Sequence, residues 1–175
     1  AYGDPQTESL AVRERVGIID VSTLGKLDVQ GVDAPALLDK IYTHRFSDLR
    51  VGRVRYGMIC SDDGTIIDDG TVARFGDEEY YVTTSTGNIE LVEEWIKWWM
   101  AGTGMCAHVT NVTSALAAVN VAGPRARDLL QRLPGSIDLS QDALAFMQWT
   151  EGDIAGIPAR IYRISFSGEL SYEIA

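Results

Sequence analysis

The chain has 175 residues, of which 46% are hydrophobic and 23% are charged, a composition typical of a globular protein with a sizeable core. It carries 15 Lys and Arg against 25 Asp and Glu, and the net charge of −10 disfavours nucleic acid and anionic membranes as partners. No apolar run approaches the roughly 18 residues that span a bilayer, and the two cysteines lack the spacing of a metal site. We therefore expect a cytoplasmic protein with no metal.

The N-terminal part of the chain predicts two helices and two strands. A helical pattern over residues 8–16 ends at Gly17. Two strands follow, over residues 18–22 and 26–30, and the second alternates apolar and polar residues as a half-buried strand does. A second helix begins near Asp33, which is a suitable N-cap.

Three consecutive strands are predicted next, over residues 54–60, 65–74 and 79–84. The turn between the first two contains Asp63-Gly64, a dipeptide that favours the positive φ of a tight hairpin. These strands therefore form an antiparallel meander.

The remainder of the chain repeats the alternation of helices and strands. A strong helical pattern covers residues 89–99, with Thr86 or Asn88 as candidate caps. We expect a strand over residues 115–121 and a helix after Pro124. The leucines expected on the buried face of that helix are Leu129, Leu130 and Leu133. The last strands are expected over residues 146–154, 158–164 and 171–174.

This order of elements predicts an α+β fold with two ferredoxin-like units of antiparallel hairpins and helices. We place the first unit at residues 1–112 and the second at residues 113–175. The second unit stops on a strand at Ala175, so we expect it to be truncated, with an unpaired strand edge at that end.

Carboxylates are the best candidates for chemistry. The sequence has no P-loop or dinucleotide-binding glycine motif, no serine elbow and no Cys-x-x-Cys pair. Asp68 and Asp69 interrupt an apolar strand, where aspartate is disfavoured, and adjacent strand residues point to opposite faces. One of the two must therefore face inward, where a carboxylate is costly unless it is paired or used; an edge or bulge position is the alternative.

Five segments, in the same order along the chain, resemble the folate-binding aminomethyltransferase family, whose type member is the glycine-cleavage T-protein. They are residues 12–25, 55–58, 64–69, 121–124 and 167–174. The resemblance spans nearly the whole chain and implies the folate-binding domain of that family.

Further segments are similar to one branch of the family, the C-terminal half of the α subunit of heterotetrameric sarcosine oxidase. They are residues 20–26, 42–43, 83–87 and 163–169. The resemblance implies that flavin and NAD bind only to other parts of the complex, where sarcosine is oxidised to an imine. The domain then transfers the one-carbon unit to tetrahydrofolate, which gives 5,10-methylenetetrahydrofolate, and its partners are folate, the imine and the other sarcosine oxidase subunits.

The resemblance also assigns roles to individual residues. Asp69 matches the catalytic aspartate of the family, a carboxylate that can stabilise an iminium-like centre and accept a proton. Glu173 matches a glutamate that accepts two hydrogen bonds from the pterin edge. The full set of folate-binding positions that the resemblance implies is Leu24, Tyr56, Ser85, Phe166 and Glu173.

Three positions depart from the T-protein pattern. Thr23 replaces a histidine, Ser85 an asparagine and Phe166 a tyrosine. These changes favour the sarcosine oxidase branch over a free-standing aminomethyltransferase or a folate-dependent demethylase. A non-catalytic folate-binding or scaffold module is a third hypothesis. We expect Asp69 to point into a cavity that Tyr56 borders, with Leu24 and Glu173 facing the same space and Asp68 on the opposite face of the strand.

Overall fold

The computed structural model describes residues 2–175, and this range forms ten strands and four α-helices. The helices are α1 (Pro5–Glu14), α2 (Ala34–Ile41), α3 (Ile89–Met100) and α4 (Ala126–Leu130). The strands are β1 (Gly17–Asp20), β2 (Gly25–Gln30), β3 (Val54–Cys60), β4 (Ile66–Arg74), β5 (Glu79–Thr84), β6 (His108–Asn111), β7 (Val119–Ala122), β8 (Trp149–Ile154), β9 (Ile157–Tyr162) and β10 (Ser171–Ile174).

The strands form two five-stranded sheets, and their pairings are antiparallel. One sheet has the order β1-β7-β10-β9-β8, and the other has the order β3-β4-β5-β2-β6. The predicted α+β class, with antiparallel sheets and few helices, is confirmed.

Contacts divide the chain into two units, and the division differs from the predicted one. The first unit consists of the residues up to Ser22 together with Ala117–Ala175, and the second consists of Thr23–Leu116. The N-terminal segment joins the first unit because β1 pairs along its length with β7. A division at residues 112 and 113 follows the order of the local patterns, which carry no information about this long-range pairing.

The second unit contains the three predicted strands almost residue for residue. The turn between β3 and β4 has Gly64 at a φ of 84°, and the Ser61 carbonyl accepts the Gly64 N–H at 2.9 Å. Helices α2 and α3 cover one face of the sheet because their apolar stripes match its apolar residues. Core residues that are fully buried here are Leu27, Val29, Leu37, Leu38, Val72, Val82, Val92 and Ile96.

Several local predictions in the first unit are wrong. A 3₁₀ turn occupies Thr113–Ala115 in the second unit, so the strand expected over residues 115–121 is confined to β7 in the first. Leu129 and Leu133 are 40% and 45% exposed: α4 buries only Ala126 and Leu130, and Leu133 lies beyond its end.

The last strand is not an edge. β10 lies between β7 and β9, and the Ala175 N–H donates to the Arg160 carbonyl at 3.0 Å. The expected unpaired edge at this end is therefore absent from the part of the chain that the structure describes.

Candidate functional site

One face of the second sheet collects most of the residues singled out by the sequence. Tyr56 pairs with Thr71 across β3 and β4, and Met58 pairs with Asp69. Side chains of directly paired residues, and of residues two apart on one strand, point to the same face. Tyr56, Met58, Asp69 and Thr71 therefore share a face, which we call the Asp69 face.

The Asp69 face continues across β5 and β2. The hydroxyls of Thr71 and Thr83 lie 2.8 Å apart, and Thr83 pairs with Lys26. Leu24 immediately precedes β2, and its carbonyl accepts a hydrogen bond from the Lys26 ammonium at 3.0 Å. Gly25 pairs with Thr84, so Leu24 and Ser85 lie at the same end of the sheet.

Tyr56 and Asp69 are in direct contact. The phenol of Tyr56 donates a hydrogen bond to Asp69 Oδ2 at 2.8 Å. Both residues are exposed, Tyr56 by 45%, so a ligand can reach the ring and the carboxylate together. The hydrogen bond to Asp69, followed by desolvation and the charges of Asp69 and Asp68, raises the pKa of Tyr56. The phenol therefore acts as a donor at neutral pH and fixes one oxygen of the carboxylate.

Asp68 points to the helix-covered face of the same strand and is only 4% exposed. One of its oxygens accepts the Ser85 N–H at 3.0 Å, and the other accepts the Asn88 side-chain amide at 3.1 Å. The inward carboxylate expected from the sequence is thus Asp68, and it is paired within the protein. Burial, and then the negative charge of Asp68, raise the pKa of the neighbouring Tyr42.

The remaining predicted site residues belong to the first unit. Glu173 lies on β10 and is 6% exposed. Phe166 lies in the loop before β10 and is fully exposed, while Ser165 Oγ donates to the Glu169 carbonyl at 2.7 Å and accepts the Gly168 N–H at 3.0 Å. The loop is therefore held by its own hydrogen bonds, with an aromatic ring presented to solvent. Convergence of these residues with Asp69 stays a prediction.

Sequence reasoning missed two features of the Asp69 face. Lys26 is fully buried, although lysine is among the residues least often buried. Gly70 follows Asp69, and a Cβ there would lie 1.9 Å from the Thr83 carbonyl oxygen, so only glycine permits the close approach of the β5 backbone at this point. The signal for Gly70 was available, because a glycine inside a strand pattern often marks a close backbone approach.

The chain resembles known proteins along nearly its whole length. The family model described as the GCVT N-terminal domain matches residues 4–175. Sarcosine oxidase subunit alpha of Corynebacterium sp. (strain P-1) is 44% identical over 171 residues, covering 96% of this chain and 18% of that protein. An aminomethyltransferase of Exiguobacterium sibiricum is 32% identical over 173 residues, covering 99% of this chain and 46% of that protein.

Solved structures share the fold. An aminomethyltransferase T of the glycine cleavage system from Bartonella henselae superposes with a TM-score of 0.80 at 24% identity, over 96% of this chain and 44% of that one. A heterotetrameric sarcosine oxidase from Corynebacterium sp. U-96 gives a TM-score of 0.64 at 18% identity, over 97% of this chain and 80% of that one.

The chain corresponds to only part of these relatives. The chain spans less than half the length of the curated relatives described above. Among the residues that the structure describes, no helix is long and apolar enough to cross a membrane. Because the family model matches almost every residue of the two units, this chain belongs to the GCVT N-terminal domain family.

Proposed function

We propose that this chain is the tetrahydrofolate-dependent one-carbon transfer domain of a sarcosine oxidase α subunit. In this role it converts the imine formed by sarcosine oxidation to 5,10-methylenetetrahydrofolate. The single observation that carries the proposal is the contact between Tyr56 and Asp69, which places an oriented carboxylate on an exposed face of the sheet. Membership of the family and 44% identity to a sarcosine oxidase α subunit support the same conclusion.

The chemistry requires a group that can stabilise positive charge and accept protons. Overall, two C–N bonds to folate nitrogens replace the C=N bond of the imine, and two protons move from those nitrogens to the released glycine nitrogen. Asp69 is suited to this exchange because a carboxylate beside the reacting carbon and nitrogen stabilises the cation and can carry a proton between nitrogens. Tyr56 occupies Oδ2 of Asp69, so Oδ1 is the oxygen that we assign to this task.

The Asp69 face also suits the shape of a folate. The half-exposed ring of Tyr56 can stack against a flat heterocycle, and the partly buried Met58 and Leu24 supply apolar contacts. Glu173 and Phe166 keep the folate-binding roles that the family resemblance implies, as a hydrogen-bond acceptor and an aromatic contact.

The rest of the reaction takes place elsewhere. We propose that other sarcosine oxidase subunits and the rest of the α subunit carry the flavin and NAD, and that they supply the imine. We place the complex in the cytoplasm, in keeping with Cys60 and Cys106, which are both free thiols.

A free-standing aminomethyltransferase is the second candidate. The observation in its favour is the 32% identity to an aminomethyltransferase, with 99% of this chain covered. Thr23 and Ser85 argue against it, because they stand where T-proteins have larger polar side chains. The two functions differ in the donor of the one-carbon unit, which is an imine in the first and a lipoyl-bound aminomethyl group in the second.

The test uses the complete enzyme that contains this chain, with sarcosine as substrate. Formaldehyde released to solvent condenses spontaneously with tetrahydrofolate, so the reaction is run with and without a formaldehyde-consuming dehydrogenase. We expect 5,10-methylenetetrahydrofolate to form in both cases, because the domain transfers the carbon before formaldehyde is released. Disappearance of this product in the presence of the dehydrogenase would contradict the proposal.

A further inference from the structure

Asp68 holds the turn between β5 and α3 by hydrogen bonds. Its carboxylate accepts the Ser85 N–H at 3.0 Å and the Asn88 amide at 3.1 Å. The Asn88 amide also donates to the Ile67 carbonyl at 3.2 Å, and the Asn88 N–H donates to the Ser85 carbonyl at 3.1 Å. The turn is therefore tied at both ends to strand β4, next to Asp69.

Asn88 stands at the start of α3, where an asparagine side chain usually caps the helix by accepting a backbone N–H. It is the N-cap of α3, but its side chain makes no capping hydrogen bond to the helix. The amide instead donates to Asp68. The Asn88 side chain therefore hydrogen-bonds to a buried carboxylate instead of capping the helix. A buried carboxylate without such partners would be costly.

The turn between β5 and α3 carries Ser85 and contacts the segment before β2. Ser85 follows β5 directly, and the Thr86 hydroxyl donates to the Thr23 hydroxyl at 3.3 Å. Thr23 in turn precedes Leu24. A shift of the turn would therefore move Ser85 and Thr86 and weaken the hydrogen bond to Thr23, the residue before Leu24.

We infer that Asp68 is a positioning residue that sets the β5–α3 turn for ligand binding on the Asp69 face. The inference rests on the proposed function, in which Leu24 contacts the folate and Ser85 is a further folate-binding position that the family resemblance implies. The two carboxylates thus have separate tasks on opposite faces of one strand. Asp69 meets the reacting atoms, and Asp68 holds the residues beside them.

Only a carboxylate satisfies both donors. Asn at position 68 has one acceptor oxygen, so Asp68→Asn directs an NH2 group against either the Ser85 N–H or the Asn88 amide. Asn88→Asp alone places a second carboxylate against Asp68. The exchange Asp68→Asn with Asn88→Asp restores one donor and one acceptor between the two side chains at unchanged net charge, but it removes the hydrogen bond to the Ile67 carbonyl.

The experiment compares these three variants with Asp62→Asn, which makes the same charge change as Asp68→Asn at an exposed turn position. In the complete enzyme we expect Asp68→Asn to raise the KM for tetrahydrofolate roughly tenfold, the size expected when a buried acceptor is lost. The kcat should change by less than about threefold, because Asp69 keeps its place. We expect the double exchange to reverse part of this increase in KM, because coupled neighbours show non-additive effects in a double-mutant cycle.

Hydrogen exchange provides a readout that does not depend on folate. We expect the Ser85 amide to exchange faster in Asp68→Asn while the core of β4 stays protected, and to recover in the double exchange. Unchanged protection of Ser85, or an unchanged KM in a variant with a loosened turn, would overturn the inference. If the wild-type enzyme forms no channelled 5,10-methylenetetrahydrofolate, the proposed function fails instead, and Ser85 exchange alone then decides whether Asp68 holds the turn.

Discussion

At the scale of single residues, the contact between Tyr56 and Asp69 determines what the site can do. A free carboxylate on a strand rotates and is solvated on both oxygens, whereas Asp69 has one oxygen held by a phenol at 2.8 Å. Forming this hydrogen bond requires little desolvation, because Tyr56 is half-exposed. Such orientation before substrate binding is the usual way in which an enzyme makes a single charge effective.

Tyr56→Phe tests this orientation directly. The substitution keeps the ring and removes only the donor, so the variant should still fold. We expect channelled 5,10-methylenetetrahydrofolate formation to fall about fivefold to tenfold, the size of one ordinary hydrogen bond. The comparison with Asp69→Asn is the check, since loss of the carboxylate itself should cost more. Equal losses in the two variants would mean that Tyr56 has a catalytic task of its own.

The raised pKa of Tyr56 predicts a pH effect of definite sign. The folded-state pKa lies above the ordinary value of 10.0, so the hydrogen bond to Asp69 stabilises the folded protein fully below pH 10. This stabilisation is lost as the pH rises through the folded-state pKa. Titration of tyrosinate by ultraviolet absorbance, wild type minus Tyr56→Phe, should show one tyrosine ionising later than a free phenol. Ionisation at or below the ordinary value would contradict the hydrogen bond.

At the scale of elements, β4 organises the site because its two faces have different partners. The helix-covered face carries Asp68 and Val72, and the Asp69 face carries Asp69 and Thr71. Gly70 between them allows β5 to approach closely enough for the Thr71 N–H to donate to Thr83 Oγ1 at 2.9 Å. The position of Asp69 thus depends on a residue that has no side chain.

Gly70→Ala should therefore destabilise the protein. Its Cβ would lie 1.9 Å from the Thr83 carbonyl oxygen, so the strands must separate, at a cost of about 1–3 kcal/mol in the free energy of unfolding. Gly87→Ala is the matched control, because a Cβ there meets nothing within 4 Å. Urea unfolding of both variants measures the difference. A Gly70→Ala variant as stable as Gly87→Ala would show that β4 and β5 are farther apart.

The loop before β3 should be sensitive to acid. Burial raises the pKa of Asp39, but hydrogen bonds from the Ser47 hydroxyl and from the Phe46 and Ser47 N–H groups, with the charge of Arg45, lower it more. A depressed pKa stabilises the fold above the ordinary value of 3.8, and the stabilisation is lost as the pH falls through the folded-state pKa.

Asp39→Asn should accordingly reduce stability at neutral pH and flatten the loss of stability below about pH 4. Asp62→Asn, at an exposed turn, should leave the acid profile unchanged. Thermal unfolding measured across the acid range distinguishes the two. A wild-type slope that persists in Asp39→Asn would assign the acid sensitivity to other carboxylates.

At the scale of the whole molecule, the sequence predicted what depends on local pattern. Strands β3, β4 and β5 follow from alternation and from the Asp63-Gly64 turn, and the opposite directions of Asp68 and Asp69 follow from the geometry of a strand. Pairing between distant segments has no local signature. The assignment of β1 to the first unit and the central place of β10 in its sheet could therefore not be predicted.

The sequence also determined part of the proposed site. Tyr56 and Asp69 were predicted from the family resemblance, and strand geometry alone predicted one inward carboxylate without saying which of the two aspartates it was. Burial of Lys26 and the pairing of Thr71 with Thr83 depend on the register of four strands, which no short motif encodes. The hydrogen bonds of Asp68 to Ser85 and Asn88 likewise depend on the tertiary structure and have no local signature.

The most direct test of the account is the fate of the one-carbon unit in Asp69→Asn, measured in the complete enzyme with Asp62→Asn as control. With the formaldehyde-consuming dehydrogenase present, we expect sarcosine oxidation to continue while 5,10-methylenetetrahydrofolate formation falls about 10²–10³-fold, because one oriented charge is lost. The control should match the wild type. An unchanged yield of 5,10-methylenetetrahydrofolate in Asp69→Asn would contradict the assignment of Asp69 as the catalytic carboxylate.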